Sequence, residues 1–311
     1  MNFVKKRIYF YTLSLLVIIP GIIALCIFGL RLGLDFSGGA MIELTWQDEN
    51  KAEEVVKEIK NMGRKEIVVQ SAGEKAVIVK IASKNQEEAK NLAEEIKKNL
   101  TNKVAGVTEK NFALVGPTVS KNLQSKSIKA VIVASLGIIF YIAFAFRKVE
   151  KPASPWRFGV AAIIALLHDL LVVLGIFAIL GHFFNWAELD AMFITALLTI
   201  LGFSVHDTIV VFDRIRENLR LYPQKLFEEV VNSSLLQTLS RSINTSLVVI
   251  ITLLTLFILG GETIKGFILA LLIGIVSGTY SSIFNASLLI VSWQKFIEKR
   301  SLNKSVHSKP A

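Results

Sequence analysis

The chain has 311 residues, 52% of them apolar, with a formal net charge of +10 and a mean hydropathy of +0.54. Soluble globular proteins average about 45–50% apolar residues without long apolar runs, so this composition excludes an ordinary soluble protein. The single cysteine, Cys26, excludes a disulfide framework and a cysteine-based zinc site.

Six apolar runs are long enough to cross a bilayer core about 30 Å thick, which takes roughly 20 helical residues. In chain order they are Ile8–Leu30, Ile128–Phe146, Phe158–Leu180, Ala191–Phe212, Ile243–Leu259 and Gly266–Val291. The first run exceeds the ~7–15 apolar residues of a cleaved signal peptide, and no small-residue cleavage site follows it. It therefore predicts a membrane anchor.

Basic residues in the short loops predict the orientation of the spans. The loops on one side, with the two chain ends, carry Lys5, Lys6, Arg7, Arg147, Lys148, Lys151, Arg157, Arg214, Arg216, Arg220, Lys225, Arg241, Lys295, Lys299, Arg300, Lys304 and Lys309. The two short loops on the other side carry only Lys265. Because cytoplasmic loops concentrate Lys and Arg, both termini are predicted to be cytoplasmic. Topology, rather than nucleic-acid binding, thus accounts for the positive charge.

The polar stretch 31–127, between the first two runs, is predicted to form an exported domain. Residue periodicity predicts strands at Ile42–Trp46, Glu66–Gln70, Ala76–Ala82 and Val107–Val115, and helices at Ala52–Ile59 and Ala89–Leu100. This β-α-β-β-α-β order is typical of a ferredoxin-like sandwich. The stretch contains no His and no Cys, so we expect binding or transmission of movement rather than catalysis.

The predicted fold class is therefore an α-helical integral membrane protein with six spans and an exported α+β domain of the ferredoxin-like type. The predicted segments are a cytoplasmic N-terminus with the first span (1–30), the exported domain (31–127), spans two to six (128–292) and a basic cytoplasmic tail (293–311).

Two short segments join the exported domain to the membrane. Asp35, Gly38 and Gly39 follow the first run, and Gly116 and Pro117 precede the second. Glycine pairs adopt backbone conformations that other residues avoid, and Gly-Pro favours a turn. The segments are either ordinary connectors or hinges that let the domain swing.

Three places within or beside the runs carry ionisable side chains, which cost at least ~2.5–3.5 kcal/mol each at the membrane centre and usually mark a function. They are the pair His168 and Asp169, the pair His206 and Asp207, and Arg241 with its followers Asn244 and Thr245. At a rise of about 1.5 Å per residue, the two His-Asp pairs lie within a turn or two of the same depth. The sequence therefore predicts a polar cluster.

A buried carboxylic acid favours its protonated form, whereas a nearby Arg favours the ionised form. Movement of Arg241 would therefore switch Asp207 between proton-holding and proton-releasing states. The alternative is a static ion pair that fastens helices, and both interpretations stay open for His168 and Asp169. Neither a metal site nor a protease triad with Ser204 is indicated, since the chain lacks a His-Glu-x-x-His motif and a nucleophile elbow.

Other polar and small residues have structural interpretations. The charged residues at the end of the fourth run are Asp213, Arg214, Arg216 and Glu217. Their i,i+3 and i,i+4 spacing predicts charge pairs on a solvated, cytoplasmic helix end. The amphipathic stretch Leu221–Ser240 is predicted to lie along the inner membrane surface, and Gly274 and Gly278 predict close helix packing.

Three segments resemble signature blocks of the SecD/SecF family of protein-export membrane proteins, in its SecF form. They are Leu32–Gly39, Val115–Ser120 and Gly202–Asn218. The third block is long and specific, whereas the first is shared by the SecD form. The order of the blocks, the six spans and the position of the exported domain match the family over essentially the whole chain.

The resemblance implies a half unit of the resistance-nodulation-division (RND) type in the bacterial inner membrane, without enzyme activity, cofactor, metal or nucleic acid. Implied partners are SecD, the SecY/SecE/SecG channel, YajC, membrane lipid and the translocating polypeptide, with proton motive force driving export. In this family Asp207 matches the proton-pathway carboxylate, Arg241 the basic residue of the fifth span, and His168 and Asp169 a recurring pair. The alternatives are an RND-like proton-coupled exporter of small molecules or lipids, and a passive scaffold.

Overall fold

A computed structural model describes residues 2–47, 51–62, 64, 66–73, 75–104, 106–147 and 154–307. The basic residues Lys148, Lys151 and Lys309, which contribute to the predicted orientation, lie outside this part. In chain order the elements are α1 (Arg7–Ile27), α2 (Leu34–Ser37), β1 (Gly39–Thr45), α3 (Ala52–Asn61), β2 (Ile67–Ser71), β3 (Ala76–Ala82), α4 (Gln86–Lys103), β4 (Thr108–Val115), α5 (Pro117–Ala145), α6 (Pro155–Phe183), α7 (Ala191–Leu221), α8 (Phe227–Leu259), α9 (Lys265–Tyr280) and α10 (Ser287–His307). A 3-10 turn, Glu262–Ile264, precedes α9, and a π-helical segment, Ser281–Ala286, joins α9 to α10.

Six helical segments in the described part are long and apolar enough to cross a membrane, which confirms the predicted number of spans. Their bounds differ from the apolar runs because helices continue into polar sequence. Helix α5 begins at Pro117, eleven residues before the second run, since proline fits the first position of a helix. Helix α7 continues beyond Phe212 through its charged end to Leu221.

The prediction of a separate helix along the inner surface over 221–240 is wrong. Residues from Phe227 onward form the first half of α8, which is one continuous helix of 33 residues. Its apolar face, including Val231 and Leu235, is buried in the helix bundle. The amphipathic pattern there reflects packing against protein rather than against a membrane surface.

The part between α1 and α5, which we call the exported part because the sequence predicts its export, contains a four-stranded antiparallel sheet with strand order β2-β3-β1-β4. Helix α4 packs on this sheet, and α3 packs beside it on β2, so that Ile42, Val79 and Ile96 share one buried core. All predicted strands and helices of this part are present within a few residues of their expected bounds. Alternation in the strands and helical spacing between them explain this agreement.

Close helix contacts in the membrane part occur at glycines. A Cβ atom added to Gly21 of α1 would lie 3.0 Å from the Cα of Gly175 in α6. One added to Gly278 of α9 would lie 3.0 Å from the Cβ of Ser204 in α7, and Gly274 packs as closely on Ile200. These contacts confirm the predicted close packing and bring α9 against both α6 and α7.

Candidate functional site

Asp169 of α6 lies at the centre of a hydrogen-bonded cluster and is 1% exposed. Its Oδ1 atom accepts from Ser277 Oγ at 2.7 Å and pairs with His168 Nδ1 at 3.0 Å. Its Oδ2 atom accepts from Ser204 Oγ at 2.6 Å and from Ser281 Oγ at 2.7 Å. Four polar side chains thus surround one carboxylate, and three of them come from other helical segments than α6.

The sequence explains how these donors reach Asp169. Ser277 and Ser281 are four residues apart and therefore share one face where α9 enters the π-helical segment. Ser204 comes from α7 at the point where Gly278 allows the two backbones to approach. The sequence analysis did not identify the three serines as hydrogen-bond donors to Asp169. The four-residue spacing of Ser277 and Ser281 in the sixth run was a signal that could have indicated two of them.

His168 links Asp169 to the first span. Its Nε2 atom lies 3.1 Å from Ser14 Oγ in α1, and Asn285 Nδ2 donates to the same hydroxyl at 2.8 Å. Tyr280 OH lies 3.5 Å from Ser14 Oγ. The network therefore ties four spanning segments together, and His168 is 9% exposed within it.

Asp207 of α7 is 2% exposed but has sparser partners. Thr279 Oγ1 donates to its Oδ2 at a long 3.3 Å, and His206 Nδ1 stands 3.9 Å from its Oδ1. The His206 side chain is itself 70% exposed. Thr279 also shares a hydrogen bond of 2.5 Å with Ser246 Oγ of α8, so α7, α8 and α9 meet at this acid.

Arg241, Asn244 and Thr245 lie on an exposed face of α8. Thr245 Oγ1 donates to the Arg241 carbonyl at 2.8 Å, which is a contact within the helix. Within the described residues no ion pair joins Arg241 to Asp207. The structure thus places both acids in the interior of the bundle, whereas the predicted pairing of Arg241 with Asp207 stays a prediction.

The first linker is fixed to the start of α7. Gly33 N donates to Leu189 O at 2.7 Å, and Asp35 Oδ2 accepts from Ala191 N at 3.0 Å. Asp190 caps the same helix by accepting from Phe193 N at 2.8 Å. Burial raises the pKa of Asp190, and the nearby negative charge of Asp35 raises it further.

Glycine conformation fixes the path of this linker. Gly38 has φ +76° and Gly39 has φ +139°, and a Cβ atom on Gly39 would lie 1.9 Å from Ile81 O. At the second linker, Gly116 caps α5 and Pro117 begins it. Gln124 of α5 donates to the Phe36 carbonyl at 2.5 Å, which holds the two predicted hinge segments side by side.

The sheet also contacts the loop before α7. Lys80 Nζ of β3 lies 2.9 Å from Glu188 Oε2, and Arg31 Nε lies 4.0 Å from Glu188 Oε1. The Glu188 side chain is 7% exposed. Gln70 of β2 donates to the Asn185 carbonyl at 3.4 Å. One short loop therefore joins the exported part to the helix that carries Asp207.

The charged end of α7 forms the pairs that its spacing predicts. Asp213 pairs with Arg216 at 2.6 Å, and Arg214 pairs with Glu217 at 2.7 Å. The side chains of all four are 35% to 56% exposed, which agrees with a solvated helix end. Among the described residues no group of three or more His, Cys, Asp or Glu side chains is arranged to hold a metal ion.

Six long apolar helices around buried, hydrogen-bonded acids define a multi-pass membrane protein. The model of the family "Protein export membrane protein SecD/SecF, C-terminal" matches residues 95–296, and that of the "SecD/SecF GG Motif" matches residues 23–45. The chain therefore belongs to the SecD/SecF family of protein-export membrane proteins, which confirms the resemblance.

Individual relatives agree with this assignment. The chain is 53% identical over 303 residues to the protein translocase subunit SecF of Thermobaculum terrenum, covering 94% of both chains. It is 36% identical to the protein translocase subunit SecDF of Bacillus subtilis, covering 94% of this chain and 38% of that protein. These names do not favour the alternative of a small-molecule or lipid exporter.

Solved structures extend the similarity to the fold. The structure of SecDF, a translocon-associated membrane protein from Thermus thermophilus, superposes with a TM-score of 0.78 at 33% identity. The match covers 95% of this chain and 39% of that one, so the chain spans about two fifths of the length of SecDF.

Proposed function

We propose that the chain is a non-enzymatic accessory subunit of Sec-dependent protein export. It acts with SecD and uses the proton motive force to promote translocation through the SecY/SecE/SecG channel and release on the outer face, with YajC as a further partner. Family membership supports the export role, and the fused SecDF relative supports SecD as the partner. The observation that carries the mechanism is the buried, sparsely hydrogen-bonded Asp207.

The exposed helices of the bundle support a membrane-embedded partner. Helix α5 exposes Ile128 and Phe140, and α8 exposes Val248 beside the face that holds Arg241. Apolar side chains on such faces meet either lipid tails or another spanning helix. In the proposed complex, SecD covers the face of α8 around Arg241.

Proton transfer at Asp207 is the proposed driving step. The carboxylate takes up one proton from the outer side and becomes neutral, and release of that proton restores the carboxylate. Arg241 stabilises the ionised state when it approaches and favours proton uptake when it withdraws. Each proton that crosses the field provides about 2.3 kcal/mol per 100 mV, which drives the movement of the helices.

Helix α7 transmits this movement to the outer face. It carries Asp207 in its middle and begins at the loop where Glu188 pairs with Lys80 of the sheet. In the proposal the exported part swings about the linkers at Gly38 and Gly116 while this loop guides it. The strand order β2-β3-β1-β4 and the two helices between strands support a ferredoxin-like assignment for this part.

The proposed location is the bacterial inner membrane with both termini in the cytoplasm. The concentration of basic residues in the loops on one side supports this orientation. In this orientation the acidic linker residue Asp35 and the exported sheet face the outside.

The proposal is tested by proton-driven export in vesicles that contain the chain with SecD and the SecY channel. Asp207→Asn keeps the shape of the side chain but removes its titration, so gradient-dependent export is expected to fall by about a hundredfold. Asp213→Asn changes an exposed acid on the same helix and is expected to leave export unchanged. Undiminished gradient-dependent export by Asp207→Asn contradicts the proposal.

A further inference from the structure

One face of α8 carries a row of buried hydroxyl side chains. Ser234, Thr238, Ser242 and Ser246 follow one another at intervals of four residues and are between 0% and 6% exposed. Four-residue spacing places them one above another along the helix. We call this row the hydroxyl ladder.

Each end of the hydroxyl ladder meets a polar group from α7. At one end, Ser246 Oγ bonds Thr279 Oγ1, which donates to Asp207. At the other end, Ser234 Oγ accepts from Asn218 Nδ2 at 2.8 Å. The ladder thus leads from the buried acid to the end of the bundle where α7 finishes its charged turn.

Three of the four hydroxyls donate to the carbonyl four residues earlier in α8. Ser234 bonds the Val230 carbonyl, Thr238 bonds that of Ser234, and Ser246 bonds that of Ser242. Such contacts are common for Ser and Thr in helices, and by themselves they indicate nothing beyond local structure.

Ser242 breaks this pattern. Its Oγ atom is fully buried and lacks a hydrogen-bond partner among the described residues. The Oδ1 atom of Asn218, at the far end of the ladder, is the second such atom, and the third, Trp46 Nε1, lies in the exported part. Buried polar groups in proteins are nearly always hydrogen-bonded to protein or to ordered water. Ser242 Oγ and Asn218 Oδ1 therefore each need a partner.

Spacing indicates what this partner is. Side chains four residues apart on a helix have Cβ atoms about 5–6 Å apart, which is roughly two hydrogen bonds end to end. The gap between neighbouring hydroxyls therefore matches the span of one bridging water molecule and is too long for direct contact. A water at Ser242 would provide the partner that its hydroxyl lacks.

We propose that the hydroxyl ladder binds a chain of water molecules and forms the proton path between Asp207 and the end of the bundle at Asn218. The inference rests on the proposed proton exchange at Asp207. Each water or hydroxyl passes its own proton onward and accepts another on its free lone pair, so every member of the chain ends neutral. Asn218 Nδ2 donates to the exposed Gln237 at 2.8 Å, so in the proposed orientation the path ends at the cytoplasmic surface through Gln237 and serves as the exit for protons.

Proton flux into liposomes that contain the complete complex with SecD tests the ladder directly. Ser242→Ala removes the hydroxyl that holds the water, and flux is expected to fall about tenfold, the equivalent of one hydrogen bond lost from the path. Thr252→Val is the matched control, because Thr252 lies on the exposed face of the same helix and bonds only the Val248 carbonyl. Its flux is expected to equal that of the unmodified chain.

Thermal stability separates the ladder from a purely structural row of hydroxyls. If Ser242 Oγ binds nothing, Ser242→Ala removes an unsatisfied polar atom and raises the midpoint of thermal unfolding while flux stays the same. That pair of results overturns the inference. If Ser242 holds a water, Ser242→Ala does not raise the midpoint, and flux falls.

Accessibility to a thiol reagent gives a second readout that does not depend on export. The chain has one cysteine, so Cys26→Ser provides a background without thiols. Ser242→Cys in that background is expected to react with a small, cationic methanethiosulfonate added from the cytoplasmic side, and Thr252→Cys is expected to resist it. An unreactive Cys at position 242 contradicts the ladder.

The flux of Asp207→Asn distinguishes the two proposals. Loss of flux in Asp207→Asn with normal flux in Ser242→Ala overturns the ladder alone. Normal flux in Asp207→Asn overturns the proposed function and the ladder together.

Discussion

The two buried acids of the membrane part differ in how the chain surrounds them. Asp169 is held by His168 and three serines, at distances of 2.6–3.0 Å. Asp207 has Thr279 at 3.3 Å and His206 at 3.9 Å, although it is buried to a similar extent. The two acids are therefore similarly buried, but Asp169 has closer hydrogen-bonding partners than Asp207.

This difference assigns different roles to the two acids. A carboxylate with four close hydrogen-bonding partners is held firmly in place, because its removal leaves buried donors without an acceptor. Asp207 has a long hydrogen bond from Thr279, with Ser246 and His206 as its other polar neighbours, and loses less when it binds a proton. The fully bonded Asp169 fastens α1, α6, α7 and the sixth span together, whereas Asp207 is suited to exchange its proton.

The largest expected effect comes from removing Asp169. Asp169→Ala leaves several buried donors without an acceptor, and removal of one partner from a buried ionic network costs about 3–5 kcal/mol. We expect a large drop in the midpoint of thermal unfolding in detergent. Asp207→Asn, by comparison, is expected to change the midpoint little while it lowers proton-driven export by about a hundredfold.

The comparison fails if Asp169→Ala leaves the midpoint of thermal unfolding unchanged while Asp207→Asn lowers it. Asp213→Ala is the control for loss of a carboxylate, since its side chain is 56% exposed and a change there costs at most about 0.5 kcal/mol. An Asp169→Ala variant that unfolds at the temperature of the Asp213→Ala variant contradicts the role of Asp169 as a fastening residue.

Sequence reasoning found both acids and favoured a proton-exchanging role for Asp207, but it left the role of Asp169 open. Apolar context alone marks Asp169 and Asp207 as unusual, because ionisable groups inside a span are rare. Their hydrogen bonding depends on Ser204, Ser277 and Ser281, which come from other helices. Serines are common in membrane helices as packing residues, so only the three-dimensional arrangement identifies them as donors to one carboxylate.

The exported part was easier to predict than the contacts that connect it to the membrane. Alternation and helical spacing are local signals, and they locate all four strands and the two helices between them, although they miss the short α2. Lys80 and Glu188 are 108 residues apart, and nothing near either residue indicates the other. The sequence likewise left open whether the first linker is a connector or a hinge, and it did not indicate that Asp35 is bonded to the start of α7.

Exchanging the charges of Lys80 and Glu188 tests whether this contact fixes the sheet to the loop before α7. Glu188→Lys and Lys80→Glu each place like charges together, whereas the double variant restores opposite charges. We expect each single change to lower stability and the double variant to recover about 1–2 kcal/mol of coupling, as measured by a thermal double-mutant cycle. The pair Lys97 and Glu109, within the exported part and more exposed, serves as the control, with coupling of at most about 1 kcal/mol. Zero coupling between positions 80 and 188 contradicts a guiding role for the loop.

The smallest effect concerns Asp190, which caps the N-terminal end of the helix that carries Asp207. Because burial and Asp35 raise the pKa of Asp190, the folded chain favours its protonated form. The resulting stabilisation is complete below the ordinary pKa of an aspartic acid and is lost as the pH rises through the raised pKa. Asn is as good a helix cap as Asp and does not ionise. Asp190→Asn is therefore expected to be more stable than the unmodified chain at neutral pH, with the difference vanishing toward about pH 4.

Asp190→Ala separates the cap from the charge. It removes the acceptor of the Phe193 N–H at every pH and is expected to cost about 1 kcal/mol. Hydrogen exchange at the first turn of α7, followed from about pH 4 to pH 7, measures both variants at the place where they act. A loss of protection by Asp190→Asn at neutral pH would show that the ionised acid stabilises this end. Asp190 would then resemble the fully bonded Asp169 rather than Asp207, and protonation from the outside would loosen the start of α7 instead of securing it.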